Sequence, residues 1–134
     1  DKSTFEINFV KTWFTICDPG QHFPCHHHSC SHISWVYYIQ TPGDPLMLHK
    51  SNPNEWFGDA FQFTKELRYN NSDEYAITPK PEHLIVFPGH LEHFTAPEPR
   101  EHRRIPLAGD IVLTLKHRTD TESGLLPPRY WKQF

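Results

Sequence analysis

The stretch that most constrains the fold is Ile33-Ser34-Trp35-Val36-Tyr37-Tyr38-Ile39. It is β-branched and aromatic almost throughout, which suits a pleated, half-buried surface better than a helix. Ser29-Cys30-Ser31 precedes it and Thr41-Pro42-Gly43-Asp44-Pro45 ends it, so it reads as a strand of ordinary length between turns. Proline supports the same class: 13 of 134 residues are proline, a density that breaks helices and suits a many-stranded chain. An all-β fold is therefore expected, with residues 1–134 forming one domain and 117–134 a C-terminal tail that docks through Leu125, Leu126, Tyr130 and Trp131.

Other strands follow from the same pattern. From Phe5 to Ile16 apolar residues alternate with polar ones, but the alternation slips once, predicting one or two half-buried strands. Gln21 to Cys30 reads as a strand leading into a turn, and Leu46 to Leu48, Phe61 to Phe63, Glu74 to Thr78 and Leu84 to Phe87 as short strands. The closing strands are Arg104 to Leu107 and Asp110 to Leu115, separated or bulged at Gly109. Ser51 to Asn71 has no clear period, and a lid over a pocket is one use for such a segment. About eight short strands separated by turns is the pattern of a jelly roll or double-stranded β-helix, a cupin-like barrel.

Chemistry concentrates at His26-His27-His28. In extended backbone His26 and His28 share one face and His27 points away, which begins a metal site. A third imidazole is available at His93, just past Phe87-Pro88-Gly89, with His32 as a candidate fourth ligand and His83 and His90 as exposed turn residues. Three protein ligands leave open positions, as a catalytic metal requires. Imidazole suits Fe, Zn, Cu and Ni alike, so ligand type alone does not name the metal. The usual non-haem iron site has two histidines and a carboxylate; with His28 in the carboxylate's place the centre is one charge more positive. Cys17, Cys25 and Cys30 are too few for a disulfide framework and lack paired C-x-x-C spacing, so reduced thiols are expected in place of a structural zinc site. Arg104 can reach the same cavity if its strand pairs beside that of His93. A buried guanidinium there needs an anion, and a carboxylate cosubstrate would supply it; otherwise Arg103 or Arg104 pairs at the surface with Glu98 or Glu101.

The order His26-x-His28, Ser34-Trp35-Val36-Tyr37-Tyr38, Leu84-Ile85-Val86-Phe87-Pro88, Leu91-x-His93, Arg104-Ile105 resembles the 2-oxoglutarate and Fe(II)-dependent oxygenases. The likeness is to the subgroup whose motif runs His-x-His, Ser-Gly-Val-Tyr-Tyr, Phe-Pro-Ser, His, Arg-Ile-Ser, and it spans about Trp13 to Leu115. The resemblance implies that His26, His28 and His93 hold Fe(II), that Arg104 grips 2-oxoglutarate, and that Tyr38 and Ser34 support the pocket. It also implies use of O2, with decarboxylation of 2-oxoglutarate coupled to hydroxylation of an unknown substrate, a peptide or amino-acid side chain by analogy. Three departures stand out: Trp35 replaces the glycine, Gly89 the serine of Phe-Pro-Ser, and Pro106 the serine of Arg-Ile-Ser.

Two other readings compete. A cupin-type dioxygenase or isomerase would use the same His-x-His and later His, but its sites often add a glutamate soon after the pair, where this chain has Ser29, Cys30, Ser31 and His32. A β-sandwich binding module would leave the histidines incidental. A net charge of -3 and the lack of a basic stripe argue against duplex nucleic acid as partner. No apolar run is long enough to span a bilayer and no signal-peptide layout opens the chain, so the expectation is a cytoplasmic protein with no membrane partner. Trp35, Tyr37, Trp56, Phe57 and Phe61 are candidates to line a substrate pocket.

Overall fold

A computed structural model describes residues 5–49, 73–97 and 101–115. The described residues form strands and no helix: β1 (Phe5–Phe14), β2 (Ile33–Gln40), β3 (Leu46–His49), β4 (Glu74–Ile77), β5 (Leu84–Pro88), β6 (Glu92–Thr95) and β7 (Ile105–Leu115). Two antiparallel sheets result, one ordered β1-β7-β2-β5 and the other β4-β3-β6. This is the all-β, double-stranded β-helix class expected from the turn spacing. No helix among the described residues is long and apolar enough to cross a membrane. The expected strand at 61–63, the lid segment 51–71, Trp56, Phe57, Phe61 and the tail 117–134 lie outside the described residues.

Strand alternation decides what enters the core. On β2 Ser34, Val36 and Tyr38 are buried and their neighbours less so. On β3 it is Leu46 and Leu48. With Phe87 of β5 these apolar residues make one cluster drawn from both sheets, so the core lies between them. Full burial of each such side chain contributes about 1.5–3 kcal/mol.

The slip in the Phe5 to Ile16 pattern is a bulge within a single strand: β1 pairs with β7 from Phe5↔Leu115 to Phe14↔Leu107, and the register shifts between Phe9 and Lys11. Beyond the shift, Trp13 sits opposite Ala108.

Three expectations need correction. Gln21 to Cys30 is not a strand; its ladder contact is an isolated bridge, His26↔His93, and Pro24 lacks the N–H that a regular strand would use there. β7 runs unbroken through Gly109, whose lack of a side chain has another cause. Gly109 faces Trp35 across the ladder, and a Cβ on it would run into the Trp35 indole ring. The third concerns the pairing of Arg104's strand. β7 pairs with β1 and β2, whereas β6, which carries His93, pairs with β3, so the two residues reach one cavity from different sheets.

Candidate metal centre

His26, His28 and His93 come together, each offering one ring nitrogen, with these atoms within 4.8 Å of one another. Backbone pairing causes this. The His26 and His93 N–H groups each donate to the other's carbonyl (3.1 and 2.9 Å), and the His28 N–H donates to the Gly89 carbonyl at 2.8 Å. The histidine stretch thus lies beside β6, the strand that carries His93. His27 is exposed while its neighbours turn inward, which keeps the alternation expected from the sequence even without a full strand.

The second nitrogen of each ring settles which atom is free. His26 Nδ1 lies 2.7 Å from the Pro24 carbonyl and His93 Nδ1 lies 3.0 Å from the Leu91 carbonyl. A carbonyl oxygen only accepts, so both Nδ1 atoms carry hydrogen and both Nε2 atoms keep a lone pair. His28 Nδ1 lies 2.5 Å from Asp110 Oδ1, which also accepts from the Ser34 hydroxyl at 2.8 Å. Three Nε2 lone pairs in one place, each oriented by an oxygen behind its ring, are the arrangement of a metal-binding histidine set. Burial pushes His93 down from 6.5 to about 4, against the pull of the Leu91 carbonyl and with the help of His26 and His28. Near neutral pH it is therefore a neutral donor.

The remaining histidines do not join. His32 is exposed and its Nδ1 accepts from the Leu113 N–H at 3.0 Å. His83 and His90 are exposed at turns. Cys25 and Cys30 are exposed free thiols, and Cys17 is a buried one.

Arg104 is 2% exposed. Its bridge to Cys17 anchors the backbone just before β7, and its guanidinium enters the cleft shared with the three histidines. Nη2 reaches the Gln21 carbonyl at 3.4 Å, while Nε and Nη1 are buried with no hydrogen-bond partner among the described residues. The surface ion pair falls instead to Arg103, which bonds Asp18 at 2.7 Å. An anion near Arg104 was not legible among its sequence neighbours; Asp44, distant in sequence, has Oδ2 3.8 Å from Nη1. That distance is too long for a hydrogen bond, so the two orphaned donors still call for an acceptor.

Ser34 and Tyr38 face the cleft, as the spacing on β2 requires, and burial pushes the Tyr38 phenol up to about 12 in spite of Arg104. Trp35 borders the cleft, but its ring covers Gly109 and meets Phe9 edge-on at 6.4 Å. Tyr37 does not line the cleft. The aromatic walls are Trp13, Phe23, Phe87 and Phe94, of which Trp13 stands 5.7 Å from the His28 ring. Asp110 and the cleft-lining aromatics Trp13, Phe23, Phe87 and Phe94 were not among the candidates read from the sequence. The available signal was a lone carboxylate set among Ile111-Val112-Leu113 in a closing strand.

A double-stranded β-helix whose cleft holds three clustered histidines that could bind a metal ion, together with a buried arginine, sets the terms for comparison with known proteins. Residues 11–110 match the family described as "Putative 2OG-Fe(II) oxygenase", and the chain belongs to that family. A crystal structure of a 2OG-Fe(II) oxygenase family oxidoreductase from Burkholderia pseudomallei is similar with a TM-score of 0.61 at 11% identity, over 82% of this chain and 47% of that one. A Pseudomonas putida prolyl-4-hydroxylase is similar with a TM-score of 0.51 at 19% identity, over 80% of this chain and 51% of that one. The chain thus matches about half the length of these two structures. No curated protein matches the sequence.

Proposed function

We propose that the protein is a 2-oxoglutarate- and Fe(II)-dependent oxygenase in which His26, His28 and His93 hold the metal and Arg104 binds the distal carboxylate of 2-oxoglutarate. The observation that carries the reading is the meeting, in one cleft, of three imidazoles with free Nε2 atoms and a guanidinium with two unanswered buried N–H groups. The donor set fits a divalent first-row ion with positions left for other ligands. The guanidinium fits a carboxylate, which its planar fork can bind through two parallel bonds.

When bound, iron supplies the oxygen chemistry. The chain's own residues do the rest. The Pro24 and Leu91 carbonyls and Asp110 hold the three rings in their donor tautomer. Arg104 and Tyr38 orient the cosubstrate from the far end of the cleft, and Trp13, Phe23 and Phe94 keep its walls apolar. Hydroxylation of a C–H bond in a peptide or amino-acid side chain is the reaction we assign.

Succinate formation from 2-oxoglutarate tests this. Wild type with Fe(II) and O2 is expected to form succinate, faster with a peptide or amino-acid substrate present, and His93→Ala to form none. Anaerobic Fe(II) protein is expected to develop a visible charge-transfer band on adding 2-oxoglutarate. Absence of both band and succinate would refute the oxygenase reading.

A further inference from the structure

We propose that Asp110 is a positioning residue of the metal centre: through its bond to His28 Nδ1 it fixes His28's donor nitrogen and returns the negative charge that a three-histidine ligand set lacks. The inference rests on the proposed ligand set.

The three rings are not held alike. His26 and His93 donate to neutral backbone carbonyls, but His28 donates to a carboxylate at 2.5 Å. An ionised acceptor makes the shorter and stronger bond and raises the basicity of the nitrogen on the other side of the ring. Asp110 cannot be explained as surface solvation, because it is 9% exposed on a strand whose neighbours Ile111 and Val112 are apolar. A buried carboxylate is retained at a cost unless its oxygens are bonded, and here one oxygen takes both the Ser34 hydroxyl and His28. Ser34, at 1% exposure, is thereby turned to hold the carboxylate against the ring. Asp110 meets the Nδ1 side of His28, so it acts on a bound ion through the imidazole. The charge that other non-haem iron sites place on a ligand is moved one ring outward.

The test uses the whole chain, with Co(II) as probe. Apparent Co(II) dissociation constants are measured for wild type, Asp110→Asn, Asp110→Ala and Glu92→Gln. Glu92 neighbours His93 in sequence, but its side chain is 43% exposed and lies 3.9 Å from His49, so this variant controls for a general change of charge. Asp110→Asn, which removes the charge but leaves an acceptor, is expected to weaken Co(II) binding about 10- to 100-fold. Asp110→Ala is expected to weaken it further, with an altered Co(II) absorption spectrum, while Glu92→Gln keeps the wild-type constant. Ring 15N–1H correlations of the metal-free wild type give a readout that needs no variant to fold: His28 is expected as its Nδ1–H tautomer.

A His28 ring protonated on Nε2, Asp110 variants that bind Co(II) as wild type does, or equal losses in Asp110→Asn and Glu92→Gln would each overturn the inference and leave the oxygenase reading standing. Failure of wild type to bind Co(II) at all would overturn both.

Discussion

Replacing Arg104 by lysine separates the two roles that a buried guanidinium can have in this cleft. Lysine keeps the positive charge near Asp44, whose Oδ2 is 3.8 Å from Nη1 without a hydrogen bond, so the Coulombic support of Asp44 survives. What lysine lacks is the planar fork. Arg104 has two buried nitrogens, Nε and Nη1, with no partner among the described residues; they lie on different edges of the guanidinium, and a carboxylate cosubstrate would take one of them together with Nη2 through two parallel bonds. A single ammonium point charge replaces that pair with one bond. A hydrogen bond to a charged group contributes about 1.5–3 kcal/mol, which at about 1.4 kcal/mol per decade is roughly a 10- to 150-fold loss of affinity. Titration of 2-oxoglutarate into Mn(II)-loaded wild type and Arg104→Lys reads the dissociation constant directly, and thermal melting of both without cosubstrate reads the framework. The expected result is a large change in the first and a small one in the second. A variant that binds 2-oxoglutarate as wild type does, yet melts well below it, would make Arg104 a structural partner of Asp44 and refute the assignment.

Other outcomes follow from the same geometry. His93 is held neutral in the folded state, with its value lowered from 6.5 to about 4. The stability tied to that neutrality is present above about 6.5 and is lost as pH falls toward 4. At about 1.4 kcal/mol per pH unit, the loss is on the order of 3 kcal/mol. Urea melts of the metal-free protein across that range should show it, with a shallower dependence in His93→Gln. Gly109→Ala would set a methyl against the Trp35 ring and should destabilise by about 1–3 kcal/mol; a Trp35→Leu background should recover most of this in a double-mutant cycle by melting temperature. Gly89→Ser restores the residue of the related motif, but its Cβ would meet the Ser31 backbone carbonyl. Because the Gly89 carbonyl holds the His28 N–H, Co(II) affinity should fall along with melting temperature.

What could be read from the sequence was what local pattern controls. The Ile33 to Ile39 run gave a strand and its alternation gave Ser34 and Tyr38 on the inner face, because a pleat leaves no other choice once one face is buried. The clustering of His26, His28 and His93 was legible because His26 and His28 lie two apart and His93 follows a turn. Pairing across the fold could not be read in the same way. Arg104 reaches the cavity without its strand pairing beside that of His93, and Asp44 and Asp110, its and His28's charged neighbours, lie far from them in sequence. Register between distant strands is set by the sum of side-chain contacts on both, so no single strand contains it. Gly109 was taken for a break because a glycine in a strand often is one, when its function is to make room for Trp35 on the strand paired beside it.

The departures from the related motif then become coupled, not independent. A tryptophan where the motif has glycine is tolerated because the facing residue of β7 is Gly109, which leaves the indole its space. Pro106 is tolerated where the motif has serine because it lies where the register between β2 and β7 slips, between Tyr38 and Gln40, and a missing N–H is least disruptive at such an irregularity. Arg104 lies just before β7 and Asp110 six residues further on within it, both inward because an even spacing along extended backbone returns a side chain to the same face. One register of β7 against β2 therefore places the guanidinium, the carboxylate behind His28 and the room for Trp35 together. A one-residue slip would turn both charges outward and drive Leu107 and Ile111 into the cleft. That predicts that a change at Gly109, on the face of β7 opposite to that of Asp110, will act on metal affinity through Asp110 whenever it disturbs this register, and Co(II) titration of Gly109→Ala beside its melting temperature would show it.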